Sequence, residues 1–391
     1  MNRSQSSKPS VLILGTAEWS QLIATNQHYM TRELALDYQV TFVESLGLRR
    51  PEINRRDLAR ILARLRRVFT RSKPNGESHD DRRPVPVNAT VVSPIVIPYH
   101  TGLARFVNHA LIRFQLRKLL RSEGHKVLWV YTPVTYGLES EFSGAFYHCV
   151  DLLGDVPGIS KSLIEGEERR LAAAGVQAAA SSDAVLSHLS SMGFSNVRRW
   201  PNVADVAAIQ QSRPQSVARS PRSVVFAGNL TATKVDFELI AAIQRAGWQV
   251  HLAGPISEGG GNAAAMVAEL QALGVVYHGM LALPELGALY WRCEIGIIPY
   301  VVNSYTLGVN PLKTYEYLAA GLPVVSTPIP AVTAQTDDVV VASTTAEFLE
   351  ALRSLRLSES DEKRRVQVAT LNSWTQRGQQ GREVVELLGR G

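Results

Sequence analysis

Short, almost unbroken apolar runs recur along the chain, and stretches in which apolar residues return every three or four positions separate them. "VLIL" (Val11–Leu14) ends at Gly15, a helical stretch reaches to about Leu36, and "QVTFVE" follows as a second strand. Arg55 to Arg71 is strongly helical, and later strands fall at "TVVSPIVIPY", "KVLWVY", "AFYHCV" and "QAAAS". A strand that is apolar at successive positions has no face to give to water. Alternating such strands with helices therefore predicts a parallel sheet covered on both sides.

The rhythm breaks at "PNVADVAAIQQSRPQSVARSPRS", where Pro, Ser and Gln crowd together, and this stretch is expected to be a boundary between domains. It then restarts. "SVVFAGN" ends in Gly228, "DFELIAAIQRAG" is a helix closed by Gly247, and "WQVHLAGP", "VVYHG", "EIGIIPY", "LPVVSTP" and "DVVVAS" are further strands. Two doubly wound, Rossmann-like α/β domains in series fit this pattern, residues 1–203 and 204–371. "EGGGN" (Glu258–Asn262) is expected to be a flexible loop, and it lacks the GxGxxG spacing of a phosphate cradle. Residues 372–391 are helical, with a break expected near Gly378.

Composition narrows the setting. With 391 residues, 45% hydrophobic and 19% charged, the chain suits two globular cores. Cys149 and Cys293 lie far apart and form no CxxC, so a reducing compartment and no disulfide framework are expected. No run approaches the ~18–20 apolar residues of a membrane span, and "MNRSQSSKPS" lacks a signal-peptide core. A cytoplasmic location follows as the expectation.

The net charge of +6 matters less than its distribution. In Asp57–Arg71, Leu58, Ile61, Leu62, Leu65, Val68 and Phe69 form one helical stripe, while Arg56, Arg60, Arg64, Arg67 and Arg71 line the other side. "GLARFVNHALIRFQLRKLLRSEG" repeats the mixture, with Phe106, Ala110, Phe114 and Leu120 among Arg105, Arg113, Arg117, Lys118 and Arg121. Two readings stand: core helices with solvated outer faces, or docking of a cytoplasmic protein on the inner, anionic face of a cell membrane.

Candidate chemistry concentrates in "VNPLKTYEYLAAGLPVVSTP" (Val309–Pro328). Asn310 suits an N-cap, Pro311 the first helical position and Gly321 the residue past the end, which predicts a helix over Pro311–Ala320. Its free N–H groups and Lys313 would attract an anion such as a diphosphate. Glu316, three residues on and on the same face, would accept hydrogen bonds from a ribose attached to that phosphate. The plainer alternative is a Lys–Glu pair on a solvated helix.

That segment resembles the signature of GT-B fold glycosyltransferases, particularly the bacterial polysaccharide enzymes of the large family 4 type. "VVFAGNL" is similar to the opening of their nucleotide-binding domain, and "VVYHGMLALPELGALYWRCEIGIIPY" to the segment that packs on the base. "NSWTQRGQQ" is similar to their terminal helix, which crosses back to the N-terminal domain; this implies that role for residues 372–391. The resemblance implies a cleft between an acceptor domain and a nucleotide-sugar domain. It implies Glu316 on the donor ribose, Lys313 and the Asn310 loop on the diphosphate, Gly228 and Lys234 near the phosphates, and Gly279 near the base, with uridine the default.

One position departs from the pattern. Retaining relatives often carry an acid eight residues before the ribose glutamate, and here that residue is Gly308. Xanthan-type glucuronosyltransferases, to which the chain has some similarity, lack the pair and invert.

An inverting transfer needs a general base, and Asp151, at the end of "AFYHCVD", is the first candidate, with Asp155 in reserve. Asp151 is equally readable as a cap of the loop or the following helix; His28, Glu18, Trp19 and His148 are acceptor-side or cleft candidates, and His28 is equally readable as core packing. No metal-ligand spacing and no DxD occur, so a metal-independent transfer without cofactor is expected, with the nucleotide sugar as co-substrate. The expected acceptor is a glycan or a lipid-linked saccharide in envelope or exopolysaccharide synthesis. The competing classes are a GT-B sugar-nucleotide epimerase, an inactive GT-B scaffold partnering another transferase, and a nucleic-acid binder. The last lacks aromatics interleaved with its arginines, so no nucleic-acid partner is expected.

Overall fold

The computed structural model describes residues 8–21, 23–49, 83–156, 158–216, 218–256, 262–303, 306, 309, 311–333, 338–355 and 358–390. The expected helix at Arg55–Arg71 with its five arginines, most of the "EGGGN" loop, and Gly308 and Asn310 lie outside the described residues. The chain forms two compact units, residues 1–200 with 378–391, and residues 201–377.

The first unit is built on a seven-stranded sheet: β1 (Ser10–Leu14), β2 (Val40–Val43), β3 (Ala89–Val92), β4 (Lys126–Val130), β5 (Gly144–Cys149), β6 (Gln177–Ala180) and β7 (Val197–Arg199). The spatial order is β3-β2-β1-β4-β5-β6-β7, and every pairing is parallel. The order reverses between β1 and β4, so the loops after these two strands flank the crevice where such sheets bind ligands. Val11, Leu12, Ile13, Phe42, Trp129 and Phe146 are fully buried, as unbroken apolar strands require.

β3 is shorter than "TVVSPIVIPY" suggests. Pro94 and Pro98 offer no N–H to a ladder, and residues 93–100 are loop. β7, with two of its three residues exposed, carries no apolar signal and was not expected. The terminal helix, Trp374–Leu388, runs through Gly378 without the expected break. A side chain at Gly378 would strike Glu33, and one at Gly381 would strike Met30. The two glycines let this helix lie close against helix Asn26–Leu34.

The second unit has a six-stranded parallel sheet: β8 (Ser223–Ala227), β9 (Gln249–Ala253), β10 (Val276–Tyr277), β11 (Ile295–Ile298), β12 (Val324–Ser326) and β13 (Val339–Val341), ordered β10-β9-β8-β11-β12-β13. Its order reverses between β8 and β11. Gly296 of β11 is small because the ring of Tyr317 occupies the space a Cβ would need. The Tyr317 hydroxyl accepts a hydrogen bond from Ala227 N at 3.0 Å and so satisfies the end of β8.

Residues 201–222 are not a bare connection. They contain helix Val206–Gln211, capped by the Asp205 carboxylate accepting from Ala208 N, and its Val206 and Ile209 are buried in the second core. The crowded Pro, Ser and Gln that signal a linker conceal this helix because its apolar face is only two residues wide.

Candidate functional site

The carboxyl ends of β8, β9 and β10 are tied to one another by backbone hydrogen bonds and by Tyr277 Oη, which donates to Gly254 O at 2.8 Å. Gly228 N donates to Ala253 O at 2.9 Å, and Gly254 N donates to Gly279 O at 2.8 Å. Gly254 has φ 131° and lies so close to the Gly228 carbonyl that no side chain fits. Gly279 has φ 69°, a left-handed conformation that glycine adopts without strain. The row of glycines leaves bare backbone at the sheet edge, beside the switch point.

Loops from both sides of that switch point are laced together. Val301 N donates to Lys234 O at 2.9 Å, and Asn303 Nδ2 donates to Thr233 O at 2.8 Å. The Lys234 ammonium stands 4.9 Å from the centre of the Tyr300 ring, a cation–π contact. Asn303 and Thr306 close the second loop on itself, with Asn303 N donating to Thr306 Oγ1 at 3.0 Å and Thr306 N to Asn303 Oδ1 at 2.9 Å.

The following helix is shorter than expected. It spans Lys313–Ala319, with Leu312 rather than Asn310 at the cap position. Thr314 N donates to Pro311 O and Tyr315 N to Leu312 O, so the chain enters through a tight i,i+3 turn before the α-helix begins. At the other end Gly321, φ 72°, closes the helix as expected.

Glu316 is buried, and its carboxylate is held from two directions. Tyr290 Oη donates to Oε2 at 2.7 Å, and Lys313 Nζ donates to the same oxygen at 2.7 Å. The Lys–Glu pair expected as the plainer alternative thus exists, yet in a buried setting and not on a solvated face. Tyr290, on helix Leu283–Arg292, is itself fully buried and packs edge-on to Tyr317, with ring centres 5.1 Å apart. Burial, and then the neighbouring carboxylate, push its phenol well above the usual range, so it remains a donor at every working pH.

Thr314 Oγ1 and Asn229 Oδ1 are buried and have no hydrogen-bond partner among the described residues. Buried polar atoms are nearly always satisfied, which makes these two candidates for ligand contact. Tyr290, Asn229 and Thr314 were not found from sequence. Asn229 adjoins the strand-ending Gly228, a position that invites inspection; Tyr290 sits in an apolar helical stripe and carries no local signal.

In the first unit the loop after β1 gathers Glu18, Trp19 and His28. Gln27 Oε1 accepts from Thr16 N at 2.7 Å, and Glu44 Oε1 accepts from Trp19 N at 2.8 Å. His28 is buried beside Trp19 and Phe42. Its Nδ1 accepts from Thr25 N at 3.0 Å and from Thr25 Oγ1 at 2.9 Å, which requires the proton on Nε2, donated to Glu18 O at 3.1 Å. Both ring nitrogens are therefore committed to holding the loop and the helix start. Burial, with the Arg83 guanidinium nearby, lowers the imidazole to about 4.

Asp151 is exposed, two residues beyond the end of β5. Asp155 is spent on Lys161 at 3.0 Å. His148 is buried among Trp129, Tyr131, Phe146 and Trp200. Across the switch point, Tyr136 adopts φ 53° and shares a 2.6 Å hydrogen bond with His100, a left-handed backbone held by burial.

Helix Gly102–Leu120 forms where expected. Its buried side is Asn108, Ile112 and Leu116, while Leu103, Phe106 and Phe114 are 80%, 71% and 64% exposed. Asn108 and Gln115 strap residues 95–99 alongside: Ile97 N donates to Asn108 Oδ1 at 2.7 Å and Ile95 N to Gln115 Oε1 at 2.8 Å. Ile95, Ile97 and Tyr99 are exposed there too. Arg105 and Arg113 are taken up by Glu167 and Glu141, which leaves Arg117, Lys118 and Arg121 as the exposed cations.

Among the described residues no helix is long and apolar enough to cross a membrane, and no group of three or more His, Cys, Asp or Glu side chains is arranged to hold a metal ion.

Residues 221–357 match the family described as Glycosyl transferases group 1. A Bacillus subtilis (strain 168) protein described as a teichuronic acid biosynthesis glycosyltransferase, TuaH, is 32% identical over 128 residues, a match covering 32% of either chain. The whole fold is similar to three solved structures. They are a glycosyltransferase from Rickettsia africae ESF-5 (TM-score 0.63, 10% identity, 98% of this chain and 99% of that one), Anabaena HepE in complex with UDP (0.61, 13%, 96% and 99%) and sucrose-phosphate synthase from Thermosynechococcus elongatus (0.62, 12%, 98% and 100%). The chain has the two-domain GT-B fold, and its match to the glycosyltransferase group 1 family lies within the second unit.

The His28 geometry gives a pH signature. The native imidazole stays neutral down to about pH 4, whereas the unfolded one takes up a proton near pH 6.5. Acidification through that window therefore favours the unfolded chain, by roughly 3 kcal/mol at its lower end. Urea denaturation at a series of pH values should show wild type losing stability from pH 6.5 to 4 more steeply than His28→Gln. Parallel slopes would count against the assignment.

Proposed function

We propose that the protein is a glycosyltransferase that moves a sugar from a UDP-sugar to a glycan or lipid-linked acceptor in polysaccharide synthesis. The observation that carries this reading is the buried Lys313–Glu316–Tyr290 cluster beside the glycine-lined edge of β8, β9 and β10. A cation and a carboxylate one helical turn apart match the order of diphosphate and ribose along the donor. Lys313 would leave Glu316 for the diphosphate, and the freed oxygen would accept the ribose hydroxyls. Lys234, Asn229 and Thr314 would add contacts, Gly228 would admit the phosphates, and Gly279 would face the base. Asn310 belongs to the same proposed set through the resemblance.

UDP as the carrier is supported by HepE, solved with UDP, and polysaccharide synthesis by the role given to TuaH. Departure of the diphosphate would be stabilised electrostatically by Lys313 and backbone N–H groups. The transfer is proposed to be metal-independent and to need no cofactor. Asp151 is proposed as the base that takes the acceptor proton, since it is exposed just beyond the carboxyl end of β5.

The proposed place of work is the inner face of a cell membrane. The exposed Leu103, Phe106 and Phe114, flanked by Ile95, Ile97 and Tyr99, form an apolar face that ends in Arg117, Lys118 and Arg121. An apolar face with a cationic rim suits an anionic lipid surface, where a lipid-linked acceptor would be found. The arginines at 56, 60, 64, 67 and 71 belong to this proposal by sequence alone.

Glu316→Ala should weaken UDP binding by roughly tenfold or more, with the fold intact by circular dichroism. Unchanged affinity in calorimetry would remove the donor assignment. Asp151→Asn should abolish transfer while UDP still binds; near-normal turnover would exclude it as the base. Replacing Arg117, Lys118 and Arg121 together by Gln should cost about 3 kcal/mol of attachment to anionic vesicles in a flotation assay. Persistent attachment after this change and Phe106→Asp would argue that the face serves another purpose.

A further inference from the structure

We infer that Arg219 is a positioning residue for the nucleotide site, an inference that rests on the donor-site reading above. Helices Leu283–Arg292 and Lys313–Ala319 bring Tyr290 and Glu316 together, and each ends in carbonyls short of an i+4 donor, the Tyr290 carbonyl accepting only from Cys293 N at 3.2 Å within its own helix end. One guanidinium receives both sets. Arg219 Nη1 donates to the carbonyls of Tyr290, Trp291 and Cys293 at 3.4, 3.3 and 3.0 Å, and Nη2 donates to the Ala320 carbonyl at 2.7 Å. The planar fork of arginine can span two helix ends in this way, whereas an ammonium on a flexible stem is a point donor.

Tyr290 is therefore gripped at both ends. Its carbonyl goes to Arg219 and its hydroxyl to Glu316 Oε2 at 2.7 Å. The guanidinium is fixed in turn. It lies 5.3 Å from the centre of the Trp291 ring, whose other neighbour Arg213 is at 4.5 Å, and Nη2 also donates to Glu362 Oε2 at 3.2 Å. The rest of the segment seconds the clamp. Trp291 Nε1 donates to Ile209 O at 2.9 Å, Ser220 N donates to Arg292 O at 2.8 Å, and Gln210 Nε2 donates to Ala319 O. The stretch that looks like a linker thus sets the spacing of the two helices, and through it the separation of Tyr290 and Glu316.

The test is calorimetric titration of UDP into four proteins: wild type, Arg219→Gln, Glu316→Gln and the double variant, each confirmed as folded and held well below its melting temperature. Arg219→Gln should raise the UDP Kd roughly tenfold in the wild-type background and less than about twofold in the Glu316→Gln background, because its effect passes through the carboxylate. Arg219→Lys, which keeps the cation and most of the packing, is measured alongside in case the Gln variant does not fold; it should give a smaller loss with the same dependence on Glu316. An unchanged Kd overturns the inference, and so does an equal loss in both backgrounds, which would mark a general structural role. Glu316→Gln alone reports on the donor-site reading: if it binds UDP as wild type does, that reading fails. A weakened Glu316→Gln beside a normal Arg219→Gln sinks only the positioning role.

Discussion

A carboxylate taken out of water must be met by donors that cannot drift away, and that constraint organises the second unit. Glu316 is buried, and an unpaired charge there would be too costly to keep. Its stabilisation requires a phenol from one helix and an ammonium from its own, both on Oε2. The phenol must therefore be rigid. Tyr290 is rigid because Tyr317 packs against it, and Tyr317 finds room because β11 has glycine at position 296. A small residue in a strand, an edge-on aromatic pair and a buried acid form one chain of dependence.

The site proposed for the donor lies at this end of the sheet for a related reason. The strand order reverses between β8 and β11, so the loops after them diverge and expose backbone. Glycines at 228, 254 and 279 keep that backbone uncovered, while Lys234, Asn303 and Thr306 hold the loops in place. The first unit repeats the architecture with different means. There a neutral histidine, a glutamine and a buried glutamate tie down the loop after β1, so His28, an acceptor-side candidate from the sequence, is occupied in shaping it.

Amphipathic patterns located helices and left open which face turns inward. Periodicity located helix Gly102–Leu120, yet the phenylalanines at 106 and 114 turn outward while Asn108 turns inward. Asn108 is buried because it satisfies the backbone of a loop containing two prolines, which no strand could take up. A polar residue can thus own the inner face when an irregular segment must be hydrogen-bonded.

Local sequence determined what depends on neighbours within a few residues. The buried strands, the connecting helices, the turn at Gly321 and the Lys313–Glu316 spacing are all legible, because strand and helix periods and glycine conformations are short-range properties. Tertiary structure alone decided what depends on partners far along the chain. Tyr290 is 26 residues from Glu316 and Arg219 is 101 from Ala320. The helix start moved from Pro311 to Lys313, and the terminal helix passed unbroken through Gly378. For the terminal helix the physical reason is packing of Gly378 and Gly381 against the distant Glu33 and Met30, which a local reading does not contain.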